Sequence, residues 1–160
     1  MYKGYFTSQI GIICVEDNGE RLISVKICED IESNNMSDLT DNAVNQLKEY
    51  LGGARKNFDL PLEMNGTEFQ QKVWNELCNI PYGETRSYKD IAEKIGNPKA
   101  ARAVGSANNK NKFMIIVPCH RVVGANGSLT GYAGGIDMKK KLLELEQHGR
   151  VIKKFERNLL

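Results

Sequence analysis

Ser87-Tyr88-Lys89-Asp90-Ile91-Ala92-Glu93-Lys94-Ile95-Gly96-Asn97-Pro98-Lys99-Ala100-Ala101-Arg102-Ala103-Val104-Gly105-Ser106-Ala107-Asn108 reads as two short helices joined by a tight corner. Ser87 is placed to cap the first, in which Tyr88, Ile91, Ala92 and Ile95 fall at i, i+3, i+4 and i+7, and Gly96 ends it. Asn97 as N-cap and Pro98 at the first helical position restart the helix at once. The pattern predicts a helix-turn-helix with 98 to about 108 as the second, recognition helix. Its periodicity turns Ala100, Ala103, Val104 and Ala107 inward and Ala101, Arg102, Gly105, Ser106 and Asn109 outward. A helix with ordinary side chains, ~10 to 12 Å across, is too wide for a minor groove of ~6 Å. Small outward residues relax that limit, so this helix is expected to approach a DNA backbone or minor groove closely, with Arg102 the one side chain long enough to enter the base stack. The competing reading is a helix packed on another part of the protein, with Arg102 merely solvated.

Downstream runs Ile115-Ile116-Val117-Pro118-Cys119-His120-Arg121-Val122-Val123-Gly124. The apolar run predicts a buried strand that Pro118 must end, because proline can neither donate to a ladder nor continue one. On a continuing strand Cys119 and His120 would face opposite ways, so their cooperation requires a turn here. A free thiol ionises near ~8.5, and only the thiolate is nucleophilic. His120 and Arg121 are the kinds of group expected to lower that value. A buried structural cysteine is the alternative. Gly131-Tyr132-Ala133-Gly134-Gly135 then forms a glycine-rich loop able to wrap a flat ligand, and a helix from Asp137 turns Met138, Leu142 and Leu145 inward. Glu146, at the edge of that apolar face, is either a partly buried carboxylate with His120 as partner or a solvated one.

Upstream of the paired helices, Thr67-Glu68-Phe69-Gln70 has the form of a capping box opening a helix striped by Phe69, Val73, Leu77 and Ile80. The stretch 54–66, with Pro61 and little periodicity, reads as a linker, dividing the chain into residues 1–65 and 66–160. The first part predicts three strands, 2–7, 10–16 and 21–29, then a helix from about 40 to 51. Asp17-Asn18-Gly19-Glu20 suits a two-residue hairpin between the second and third strands. Nothing in this half has a catalytic pattern. Residues 1–65 hold 6 Lys and Arg against 11 Asp and Glu, whereas residues 66–160 hold 16 against 9. A basic half fits a nucleic-acid partner, and equally a basic surface with none. No stretch approaches the roughly 20 apolar residues of a membrane span, and no signal pattern opens the chain, so a cytoplasmic protein is expected. Four cysteines without C-x-x-C spacing and two histidines, His120 and His148, support neither a disulfide framework nor a metal site.

With these motifs in order, the second half resembles the O6-alkylguanine-DNA alkyltransferases, the methylated-DNA-protein-cysteine methyltransferases. The likeness runs through Gly66-Thr67-Glu68-Phe69-Gln70, Val73-Trp74, Ile80 to Thr85, Ser87-Tyr88, Ala100 to Gly105, Pro118 to Val122, Gly131 to Gly135 and Leu142 to Glu146. It implies an α+β fold: a small antiparallel sheet with a helix, ribonuclease H-like, then a helical winged-helix or helix-turn-helix domain carrying the reactive cysteine. It implies direct-reversal repair of double-stranded DNA containing alkylated guanine by a monomer without cofactors, acting once per molecule on O6-methylguanine and on O4-methylthymine. Cys119 would accept the alkyl group, activated by His120 through a water where the family pattern holds, with Glu146 orienting the imidazole. Tyr88 would give a proton to the guanine, and Asn111 would brace the active-site turn. Val122, Tyr132, Ala133 and Gly134 would line the base pocket. Arg102, with Ala101, Gly105 and Ser106 beside it, would lie on the DNA. Where the family has proline after the bracing asparagine this chain has Lys112, which predicts a looser loop. A non-reactive alkylated-DNA binder of the same superfamily, a cysteine hydrolase and a transcription factor are the competing readings. Cys119 argues against the first, and Pro118 to Arg121 would be superfluous in the last.

Overall fold

The computed structural model describes residues 1–129 and 135–148. β1 (Tyr2–Ser8) and β2 (Gly11–Asp17), each burying three consecutive residues, and β3 (Leu22–Cys28), where Ile23, Val25 and Ile27 alternate with Ser24 and Lys26, form an antiparallel sheet in the order β1-β2-β3. Tyr5 lies opposite Cys14, and Val15 opposite Val25. The connection from β2 to β3 takes four residues, not two. Of Asn18 and Gly19 only the glycine adopts positive φ, +94°, and a type I′ turn needs it at both. Asn18 instead uses its side-chain oxygen to accept from the amides of Glu20 and Arg21.

Helix α1 (Asp38–Leu51) begins at Ser37, whose hydroxyl accepts from the Thr40 amide while the Thr40 side chain reaches back to the Ser37 amide. Both hydroxyls also donate to the carboxylate of Asp17, buried at the end of β2, which fixes where the helix starts against the sheet. Ala43, Val44, Leu47, Tyr50 and Leu51 form its buried stripe.

The segment read as a linker is packed along β3. Leu22 donates to Pro61 O (2.9 Å) and accepts from the Glu63 amide (2.9 Å), while Phe58, Leu60, Leu62 and Met64 lean on the core. Helix α2 (Glu68–Leu77) has the predicted capping box of Thr67 and Gln70 and buries Val73, Trp74 and Leu77. A two-residue strand, β4 (Arg86–Ser87), leads into α3 (Tyr88–Lys94), where Ser87 and Asp90 form a third capping box.

Helix α4 (Ala101–Asn109) starts three residues later than its sequence suggests. Asn97 and Pro98 belong to a turn closed by a hydrogen bond from the Ala100 amide to Asn97 O (3.0 Å), and Ala100 is an N-cap without a side-chain cap. Val104, Ala107 and Asn108 are its buried residues, whereas Ala103, expected inside, is exposed. Trp74 explains the rotation: its indole donates to Ala107 O (2.8 Å) and draws the 104/107/108 face onto α2.

Residues 115–117 form no strand. Phe113 makes one isolated bridge to Val25, after which the chain turns through Ile115 at φ +74° and enters a single 3-10 turn, Cys119–Arg121. Ile115 and Val117 are buried as predicted and Ile116 is half-buried, but in a turn braced by side chains and not in a ladder. Strand β5 (Val122–Val123) pairs in parallel with β4, and α5 (Ile136–His148) closes the described chain. None of the described helices is long and apolar enough to cross a membrane. One apolar core runs through both halves, from Phe6, Ile13, Val25 and Leu47 to Leu77, Ile91, Val117 and Leu142.

Candidate active site

Proline at 118 ends one backbone direction and the 3-10 turn begins another, so Cys119, His120 and Arg121 are presented together and all are buried. Asn111 holds the approach to this turn. Its side-chain amide donates to Val117 O (2.8 Å) and Phe113 O (3.3 Å), and its oxygen accepts from the Phe113 amide (2.9 Å). Lys112, expected to loosen this loop, is pinned: its carbonyl accepts from the Val25 amide at 2.8 Å, and Met114 donates back to Val25 O at 3.1 Å. From α4, Asn108 donates to Cys119 O (3.3 Å).

Glu146 of α5 is buried and fully engaged. Its Oε2 accepts from His120 Nε2 (2.6 Å), the Tyr50 hydroxyl (2.6 Å) and an Arg121 guanidinium nitrogen (2.9 Å). Its Oε1 accepts from Arg121 Nε (2.8 Å) and the Gly83 amide (3.1 Å). Gly83 can aim that amide because its φ is +82°, a conformation that side chains resist. Burial opposes ionisation of Glu146, but the hydrogen bonds from His120 and Arg121 and the charge of Arg121 outweigh it and hold the carboxyl well below the usual carboxylate range.

These contacts fix the state of the imidazole. A carboxylate accepts only, so the nitrogen facing it, Nε2, carries the hydrogen and Nδ1 keeps its lone pair. Nδ1 is buried with no hydrogen-bond partner among the described residues. Burial pushes the proton affinity of His120 down despite its carboxylate partner, so the ring is neutral near pH 7 and able to take a proton there.

Arg121 does not lower the thiol's pKa as its position in sequence suggests, since it is committed to Glu146 and to Ile80 O (2.7 Å). Burial pushes the Cys119 thiol up, partly offset by a hydrogen bond from Asn111 and by the charge of Lys139. Burial thus moves the thiol opposite to the lowering expected from His120 and Arg121. In an enclosed site the cost of desolvating the anion exceeds what the nearby donors return.

Two contributors have no sequence signature. Tyr50 comes from α1 in the half that looked devoid of catalytic residues, and α-helical periodicity assigns it to the core. Lys139 looks like one of three solvated lysines in Lys139-Lys140-Lys141, yet it is fully buried, with Nζ 5.8 Å from the centre of the Tyr88 ring. Only the spacing of Lys139 from Leu142 and Glu146, which places all three on one helical face, could have flagged it. Tyr88 is half-buried at the start of α3. Gly105, expected to face outward, is half-buried against that ring, where an added Cβ would lie 3.7 Å from it. Ala101 is likewise half-buried, which leaves Arg102, Ser106 and Asn109 exposed on the outer face of α4. Val122 is fully buried in β5. Tyr132, Ala133 and Gly134 lie outside the described residues.

Comparison with known proteins bears on both halves. Residues 1–64 match the family model for the 6-O-methylguanine DNA methyltransferase, ribonuclease-like domain, and residues 68–148 that for the DNA binding domain. A methylated-DNA–protein-cysteine methyltransferase of Methanosarcina acetivorans is 50% identical over 153 residues, covering 91% of this chain and 98% of its own. One from Mycobacterium bovis is 49% identical over 146 residues, 88% of each chain. The crystal structure of Mycobacterium tuberculosis OGT in complex with DNA superposes with a TM-score of 0.87 at 46% identity, covering 94% of this chain and 95% of that one. Matches that extend over the acidic sheet half as well as the basic helical half leave one assignment: the chain belongs to the 6-O-methylguanine DNA methyltransferase family.

Proposed function

We propose that this protein repairs DNA by direct reversal, moving the alkyl group of O6-methylguanine, and of O4-methylthymine, irreversibly onto Cys119. The observation that carries the reading is the buried pair of Cys119 and an imidazole whose Nε2 is committed to Glu146, which leaves Nδ1 as a base. The relatives named above and the match to a DNA complex support DNA as the partner.

A base stacked in a duplex is out of reach of a buried thiol, so the damaged guanine is rotated out at a cost of a few kcal/mol. Arg102, the long exposed side chain of α4, fills the space it leaves, while Ala101, Gly105 and Ser106 allow the helix to lie close to the DNA. Val122, with Tyr132, Ala133 and Gly134, receives the base. The Cys119 proton passes to His120 through a bridging water, and the sulfur attacks the alkyl carbon. A carbon–sulfur bond forms as the carbon–oxygen bond breaks, and the electron pair is left on the guanine. Tyr88 supplies a proton to the base ring, so that neutral guanine leaves, and Asn111 holds the turn throughout. The product is a thioether, which no group of the protein hydrolyses, so each molecule reacts once.

Nucleophile, base and proton donor are all side chains, and the reaction takes no cofactor or metal. The protein acts as a cytoplasmic monomer, with residues 66–160 as the alkyltransferase domain and residues 1–65 as its α/β support.

The test is a duplex bearing methyl-labelled O6-methylguanine. Label should move stoichiometrically to a Cys119 peptide. Label kept on the DNA, or turnover beyond one equivalent, refutes the reading. Cys119→Ala should abolish transfer and keep binding. Arg102→Ala should slow transfer from duplex more than from free O6-methylguanine, and equal losses on both would refute its place in the stack.

A further inference from the structure

Glu146 already has a bidentate arginine, a backbone amide and the imidazole, and a fifth donor is not needed to hold it ionised. Yet Tyr50, fully buried on α1, brings its hydroxyl to 2.6 Å from Oε2, the same oxygen that receives His120 Nε2, and to 3.4 Å from Nε2 itself. The ring is set by Phe58, tilted against it at 5.6 Å, and by Tyr82, edge-on at 6.0 Å. Pro81-Tyr82-Gly83 and α5 thus meet a side chain from the sheet half of the molecule at one carboxylate, Gly83 at Oε1 and Tyr50 at Oε2.

We propose that Tyr50 is a positioning residue for the alkyl transfer: its hydroxyl, donating to Glu146 Oε2, aims that oxygen at His120 Nε2 and limits how strongly the carboxylate draws a proton onto the ring. An oxygen that divides its charge among three donors attracts each less than one shared by two. Removing the phenol hydroxyl leaves Oε2 to His120 and Arg121, strengthens the bond to Nε2 and stabilises the protonated ring. The other charged or titratable groups near the imidazole are Arg121, Lys139 and Cys119, with Tyr82 facing Glu146. Tyr50→Phe changes none of them. With Tyr50 the base stays weak enough to be neutral when the thiol must give up its proton, and the sheet half of the molecule takes part in the chemistry.

The inference rests on the alkyl-transfer reading, and two measurements separate their fates. One is the single-turnover rate of label transfer between about pH 5 and 9. The other is a ring NMR titration of His120 in the DNA-free protein, where His148 is the sole other imidazole. In Tyr50→Phe the acid limb of the rate profile and the His120 titration should both move upward by at least about half a pH unit. Val44→Ala, which loosens the packing of α1 and leaves Tyr50 and every donor to Glu146 in place, should move neither while lowering Tm. An unmoved titration in Tyr50→Phe, or an equal movement in Val44→Ala, reduces Tyr50 to a space-filling core residue and overturns the inference. If the native protein transfers no label, the alkyl-transfer reading falls, and the NMR titration still decides the part of Tyr50.

Discussion

At Cys119 burial outweighs the donors around it and pushes the thiol up, which opposes ionisation in the free protein. Iodoacetamide labelling of Cys119 should therefore still be accelerating above about pH 9, beyond the range of an ordinary thiol. A rate that levels off near neutrality would show a preformed thiolate. The Arg121–Glu146 pair makes a second claim about single residues. Cutting one partner out of a buried pair costs about 3 kcal/mol or more, so Arg121→Leu should lower Tm by roughly 6 to 12 °C at neutral pH. The folded carboxyl of Glu146 titrates below its unfolded value of about 4.3. Its contribution is thus complete above about pH 4.3 and lost as pH falls toward the folded value. The Tm gap between the two proteins should accordingly narrow in acid; a gap that stays constant down to about pH 3 would show that the pair is not what the substitution removes.

Helix starts show what the sequence made legible at the level of elements. Thr67 with Gln70 satisfies orphan amides through local side chains, and such devices are written in consecutive residues. Thr67→Ala should cost about 1 kcal/mol and roughly 2 to 4 °C in Tm. Ala100→Ser should gain nothing, because the backbone there, at φ −95° and ψ 21°, is not the extended conformation from which a side chain caps. Thermal unfolding of both variants checks the pair, and stabilisation by Ser at 100 would contradict the observed start of α4. The apolar run 115–117 was legible as buried but not as a turn. Its conformation is set by Asn111 and by Val25 on β3, partners that periodicity does not report. For the same reason Cys119, His120 and Glu146 could be picked out from their chemistry, while Tyr50 could not, and Lys139 only through the helical face it shares with Leu142 and Glu146. Their roles are conferred by what packs on them from other elements.

The molecule as a whole behaves as a consequence of those cross-element contacts. Leu22 pairs with the 61–63 strap, Val25 exchanges hydrogen bonds with the loop of the active-site turn, and Tyr50 closes the carboxylate network, so the sheet half and the helical half share one core. Trp74, the single tryptophan, sits in the helical half against α4 and reports on that half alone. If the core is continuous, damage to the sheet half must reach it. Leu47→Ala on α1, a fully buried position, should cost about 2 to 5 kcal/mol. The midpoint of Trp74 fluorescence in a urea titration should then fall together with that of far-UV circular dichroism, as in one cooperative transition. Fluorescence that held its native midpoint while the dichroism split into two steps would mean that the halves unfold independently, and the contacts at Leu22, Val25 and Tyr50 would be docking rather than shared structure.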